Sequence, residues 1–129
     1  KSLTMSGSGS MVVNSAVNSK DLSATLSGSG SIKATADVDN FTGVISGSGN
    51  LTITGKADDA SITLSGSGTF AGRGFSVNDL STQVSGSGTV NIKADRKIDA
   101  VISGSGNVNY SGNASVDKTV VGSGKVRKI

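Results

Sequence analysis

The stretch Ser61-Ile62-Thr63-Leu64-Ser65-Gly66-Ser67-Gly68-Thr69-Phe70 decides the fold, because it is one of seven versions of a single pattern. Leu64 stands two residues before the first glycine of Gly-Ser-Gly and Phe70 two residues after the second. A spacing of two belongs to a strand, whose side chains alternate between faces. Counting by twos puts Leu64, Gly66, Gly68 and Phe70 on an inward face, with Ser65, Ser67 and Thr69 outward. A glycine-rich loop that cradles phosphate needs a helix N-terminus just beyond it. Strand formers follow the motif instead, Thr69-Phe70 here and Val, Ile or Thr after other copies, so the glycines are expected to let an opposite wall approach or to bend the chain at a corner.

Working outward, Gly-Ser-Gly recurs at Gly7-Gly9, Gly28-Gly30, Gly47-Gly49, Gly66-Gly68, Gly86-Gly88, Gly104-Gly106 and Gly122-Gly124, using 14 of the 19 glycines. The intervals are 21, 19, 19, 20, 18 and 18 residues, a period in the range of solenoids and other repeat arrays. The flanks repeat too. Two residues before the motif stand Met5, Leu26, Ile45, Leu64, Val84, Ile102 and Val120; two after it stand Met11, Ile32, Leu51, Phe70, Val90, Val108 and Val126. A third apolar column, six before the motif, reads Leu22, Phe41, Ala60, Leu80, Ile98 and Val116. A disordered Gly/Ser linker would not keep these columns in order.

Just before that third column come corner formers: Lys20-Asp21, Asp39-Asn40, Asp58-Asp59 and Asn78-Asp79, with Lys97 and Ser115 departing from the pattern. Asp and Asn suit corners because their side chains bond nearby backbone amides. Helix is not expected in any unit, since Gly, Ser, Thr and Asn dominate and the apolar period is two. The prediction is an all-β, single-domain parallel β-helix (solenoid) over residues 1–129, with about seven coils of roughly 19 residues. Coils about 4.8 Å apart would stack about 29 Å high. General crossover preference makes the helix right-handed.

Composition excludes much chemistry. The 129 residues include no His, Cys, Pro, Trp or Glu, and 34% are apolar. That leaves no imidazole or thiolate nucleophile, no zinc site built from such ligands and no disulfide framework. The net charge of +3 comes from 12 basic and 9 acidic residues scattered along the chain. A nucleic-acid partner would need a denser basic stripe and aromatic platforms. No window approaches the roughly 18 apolar residues of a membrane span. The N-terminus carries no charged-then-apolar signal segment, so an exported protein would be represented here by its mature part or a piece of it.

The repeated Ser-Gly-Ser-Gly resembles the head GIN domain family of bacterial auto-transporter adhesins. The likeness runs over nearly the whole chain and is most specific in Ser103-Gly104-Ser105-Gly106-Asn107-Val108-Asn109-Tyr110-Ser111-Gly112-Asn113 and Val121-Gly122-Ser123-Gly124-Lys125-Val126. It implies a right-handed β-helix of the cell envelope with a proposed adhesive role. Two departures stand out. Relatives commonly place Asp directly after the motif, where this chain has Ser10, Ser31, Asn50, Thr69, Thr89, Asn107 and Lys125. Relatives also carry a longer N-terminal portion, whereas six residues precede Gly7 here. Either the chain is a fragment or its first coil is open, and an open parallel edge invites another strand.

An outward ladder of Ser8, Ser29, Ser48, Ser67, Ser87 and Ser105 is the candidate ligand-binding surface, beside Ser6, Ser27, Ser46, Ser65, Ser85 and Ser103. Such a hydroxyl array can contact a polymer through many weak hydrogen bonds, although serine also simply tolerates tight coils. Ice-binding solenoids rely on threonine methyls, and serine dominates here. Asp21, Asp59 and Asp79 could stack on one edge, but calcium needs six to eight oxygens and corner capping explains them better. Catalysis is not expected. The best constellation is Asp58 and Asp59 with Lys56 and Arg73, and adjacent strand residues point to opposite faces unless a turn reorients them. The expected function is therefore a non-catalytic binding module of the bacterial cell surface or envelope, an adhesin head without metal or cofactor. Its partner would be a glycan or protein on another surface. The alternative is a structural subunit whose copies stack end to end through open coil ends into an extracellular fibre.

Overall fold

The computed structural model describes residues 2–128, with residues 14–17 and 73 described by their backbone alone. Nine strands follow one another: β1 (Ser2–Ser6), β2 (Ser10–Ser27), β3 (Ser31–Gly47), β4 (Asn50–Gly66), β5 (Thr69–Gly86), β6 (Thr89–Ser103), β7 (Asn107–Ser111), β8 (Ser115–Val121) and β9 (Lys125–Lys128). The described residues contain no helix. Every pairing is parallel, and each strand pairs with the segment one repeat later, so one continuous sheet winds about its own axis. The expected β-helix is therefore the fold, with seven Gly-Ser-Gly corners bounding about six turns.

Burial along β3 shows how one coil is built. Ile32, Ala34, Ala36 and Val38 are buried, Asp39 and Asn40 are both exposed, and Phe41, Gly43 and Ile45 are buried again. Two alternating walls are thus joined at an Asp-Asn corner on one side and a Ser-Gly-Ser corner on the other. The walls meet across the core, where Phe41 of one wall packs edge-on against Phe75 of the other at 5.3 Å and lies 6.2 Å from Phe70. Stacked columns such as Leu26-Ile45-Leu64-Val84-Ile102 are fully buried. A chain with so few apolar residues has a dry core because each coil contributes to the same columns in register.

The uneven repeat lengths are absorbed away from the Gly-Ser-Gly corner. Register shifts fall between Val12 and Ala16, Thr52 and Gly55, and Gly72 and Ser76, all in the first wall, and between Val77 and Asp79 at the Asp-Asn corner. An extra residue in a ladder is left unpaired and disrupts the pairing only locally, and register resumes beyond each shift.

The strict alternation expected through the motif needs correction. Gly68 is buried, but Gly66 is exposed, and the same holds for Gly47 and Gly49 and for Gly86 and Gly88. The first glycine takes φ near +103° at Gly66, a left-handed conformation that turns the chain and ends the strand's period of two. The second resumes the inward face, where a Cβ on Gly49 would lie 2.5 Å from the Gly30 carbonyl oxygen and 2.7 Å from Leu26 Cδ2. One glycine thus serves conformation and the other close approach.

Candidate functional site

At the Ser-Gly-Ser corner the backbone is satisfied by the coil before it: Ser67 N–H donates to Gly47 O at 3.2 Å, Ser87 N–H to Gly66 O at 3.1 Å and Thr69 N–H to Gly49 O at 3.1 Å. With the main chain so occupied, the corner serines project from a ridge. Ser8, Ser29, Ser48, Ser67, Ser87 and Ser105 are all exposed, as is Ser123 one coil on. On one flank Ser6, Ser27, Ser46, Ser65, Ser85 and Ser103 are exposed and paired coil to coil, ending on Val121. On the other run Ser10, Ser31, Asn50, Thr69, Thr89, Asn107 and Lys125.

Charge distribution separates this side from the rest of the molecule. Residues 22–32, 41–55, 60–72 and 80–92 contain no charged side chain. They form the ridge, the second wall and the start of the first wall. The second wall turns outward Thr42, Val44 and Ser46 in one coil, Ser61, Thr63 and Ser65 in the next and Ser81, Gln83 and Ser85 in the one after. Hydroxyl-rich columns therefore lie about 4.8 Å apart along the axis and about 6.7 Å apart across it.

Apart from Lys33, exposed in the first wall beside Thr52, most charges of the same coils gather around the opposite corner. There Asn40 Nδ2 donates to Asp21 Oδ1 at 2.8 Å and Asn78 Nδ2 to Asp58 Oδ1 at 3.3 Å, while Arg96 pairs with Asp79 at 3.8 Å and Lys97 with Asp99 at 3.7 Å. These contacts link coils to each other or brace a wall, but exposed pairs of this kind contribute little to stability. Two shallow grooves flank the corner. One, of about 330 Å³, is floored by Phe41, Ala60 and Leu80 and rimmed by Asn40, Asp59, Asp79, Lys97 and Asp99. The other, of about 420 Å³, is lined by Asp37, Asp39, Lys56, Asp58, Asn78 and Asp95 among others.

This geometry decides several expectations. Asp58 and Asp59 do not alternate across a strand; the corner exposes both, and they line different grooves. They form no paired-carboxylate site, and the side chain of Arg73 lies outside the described residues. Asp59 and Asp79 are neighbours in the ladder, whereas Asp21 faces Asn40. Among the described residues no group of three acidic side chains is placed to hold a metal ion. The groove over Ala60 was not anticipated. Its signal was present in the column Leu22, Phe41, Ala60, Leu80, where one small side chain between two large ones leaves a dent.

A family model described as "Putative auto-transporter adhesin, head GIN domain" matches residues 1–114. A comparison with curated proteins gives no match. Three crystal structures share the fold. A "Putative lipid binding protein from Parabacteroides distasonis ATCC 8503" superposes with a TM-score of 0.97 at 29% identity, covering 99% of this chain and 52% of that one. A "putative adhesin" from the same organism gives 0.90 at 24% identity, covering 99% and 60%. A "putative adhesin from Parabacteroides merdae ATCC 43184" gives 0.88 at 25% identity, covering 98% and 57%. The chain thus spans between half and two thirds of the length of these structures.

Proposed function

The chain belongs to the head GIN domain family, and from that premise we propose that it is a non-catalytic adhesive module of the bacterial cell envelope that binds a neutral, hydroxyl-rich polymer. The contact surface is the serine ridge with the wall beside it. The observation that carries this reading is the absence of any charged residue from that side through four consecutive stretches, 22–32, 41–55, 60–72 and 80–92. A flat array of small hydroxyls offers donors and acceptors at a regular spacing, and each contact is weak. Affinity then comes from simultaneous engagement of many equivalent contacts along a polymer. An anionic or cationic ligand would be recognised by charge-assisted bonds, which this face lacks.

Binding to insoluble neutral polysaccharides, a β-glucan and chitin, tests the reading, with charged heparin as comparison. Retention on a neutral matrix should change little with salt, since no ion pairs are broken. Ser48→Lys/Ser67→Lys places two ammonium groups on the ridge and should weaken retention by about tenfold or more. Asp58→Asn, on the opposite corner, should leave it unchanged. Equal binding by the ridge variant, or retention on heparin alone, would refute the assignment.

A further inference from the structure

The groove over Ala60 runs along the edge of the second wall that lies away from the serine ridge. Its floor is the apolar column Phe41, Ala60 and Leu80. One rim is the corner column Asn40, Asp59, Asp79 and Lys97, and the other is the wall column Thr42, Ser61, Ser81 and Asp99. Toward β6 the chain matches its own charges: Lys97 lies 3.7 Å from Asp99, and Arg96 brings Nε within 3.8 Å of Asp79. Asp59 holds the same place one coil earlier without such help. The next coil sets Asp79 beside it, and the amide of Asn78 donates to Asp58 instead. Among the described residues Asp59 therefore has neither a hydrogen-bond nor an ion-pair partner. Two carboxylates facing each other in a ladder repel, so the step from Asp59 to Asp79 is a place for a cation.

We propose that this groove receives an arginine side chain from a partner protein, which does for Asp59 what Arg96 does for Asp79. A guanidinium is planar and carries its donors in a rigid fork, so it can bridge two carboxylates one coil step of about 4.8 Å apart. A lysine ammonium is a compact, strongly hydrated point charge and bridges them less well. The methylenes of the arginine stem lie over Ala60 and cover the apolar floor while the head stays at the rim. Exposed Ser61 and Ser81 on the opposite rim offer acceptors for the remaining N–H groups. The groove's volume of about 330 Å³ suits one side chain more than a bulky ligand. Asp39 and Asp58, exposed across the same corner, extend the negative field and steer a basic segment toward it. This surface and the serine ridge lie at opposite corners of the coil, so the assignment does not depend on the polymer bound at the ridge.

Fluorescence anisotropy with a labelled tetra-arginine amide tests this on the full chain, with tetralysine amide and the tetramer of glucosamine as comparisons. Tetra-arginine should bind at least about threefold more tightly than tetralysine, and its affinity should fall as salt rises. Asp59→Asn should weaken tetra-arginine binding by about tenfold. That variant should fold, because asparagine already stands at this place one coil earlier as Asn40, and an unchanged circular dichroism spectrum and unfolding transition verify it. Asp117→Asn makes the same change of charge at an exposed position outside the groove and should alter binding by less than about twofold. Equal losses in the two variants would reduce the effect to general attraction between opposite charges. Tighter binding of the glucosamine tetramer would make the partner an aminosugar polymer instead of a protein. Either result, or no binding of tetra-arginine at low salt, would overturn the assignment.

Discussion

At each Ser-Gly-Ser corner two glycines in one motif answer different demands, and substitution separates them. Gly47 has φ of +105°, and a Cβ there would sit 2.7 Å from the Gly28 carbonyl oxygen. Gly47→Ala should therefore cost more than the 1–2 kcal/mol of the left-handed conformation alone, about 2–4 kcal/mol in chemical denaturation. Gly9 has the same place in the first corner as Gly49 in the third, but nothing closer than Met5 Cε at 3.7 Å. Gly9→Ala should be nearly neutral, and Gly49→Ala should lose about 1–3 kcal/mol from overpacking. A large effect at Gly9 would show that the motif is constrained by something other than the coil beneath it. Thr82 presents the opposite case. It is 2% exposed in the column Gly43-Ile62-Thr82-Ala100, and its Oγ1 has no hydrogen-bond partner among the described residues. Thr82→Val keeps the shape and removes the desolvated hydroxyl, so it should stabilise the fold by about 1 kcal/mol, read as a raised denaturation midpoint.

Single coils carry unequal shares of the core. The second wall of one coil brings Phe41 against Phe75 and Phe70, which are contributed by the first wall two repeats later. Phe41→Ala should cost about 3–5 kcal/mol, because the rings are enclosed by neighbouring coils that cannot collapse into the space. The same column thins at Ala60, and the groove over it opens where the side chain shrinks. Coils also differ in how they absorb extra residues. The register shifts sit in the first wall and at the Asp-Asn corner, so the serine ridge keeps one geometry while the rest of the coil varies. A surface that contacts a regular polymer needs that constancy.

Over the whole molecule, each coil touches the ones above and below, so stability is expected to fall from the middle toward both ends. Leu3, Met5, Val116, Val120 and Val126 are partly exposed, whereas Leu51, Leu64, Phe70, Val84 and Val90 are fully enclosed. Hydrogen exchange should accordingly protect β4 and β5 most, with β1, β8 and β9 exchanging through local opening at lower free energy. Uniform protection along the chain would mean that the solenoid opens as one cooperative unit instead. Charge follows its own pattern at this scale: it is concentrated at one corner and absent from the other side through the middle coils.

The parallel β-helix and its columns were determined by the sequence alone, because a period near 19 combined with a period of two leaves few other ways to bury Leu26, Ile45, Leu64 and Val84 together. The ladder Ser8, Ser29, Ser48, Ser67, Ser87 and Ser105 was legible for the same reason, since its members share one place in each repeat. Tertiary structure decided what alternation could not. The positive φ of Gly66 turns the first motif glycine outward, and the Asp-Asn corner exposes Asp58 and Asp59 together toward separate grooves. Both breaks in the count occur at bends, where side-chain direction depends on backbone torsion instead of sequence parity. Which carboxylates the chain itself pairs was decided there too: Asp59 and Asp79 share one place in the repeat, and only Asp79 receives a guanidinium, because pairing depends on the distance between coils and not on repeat position.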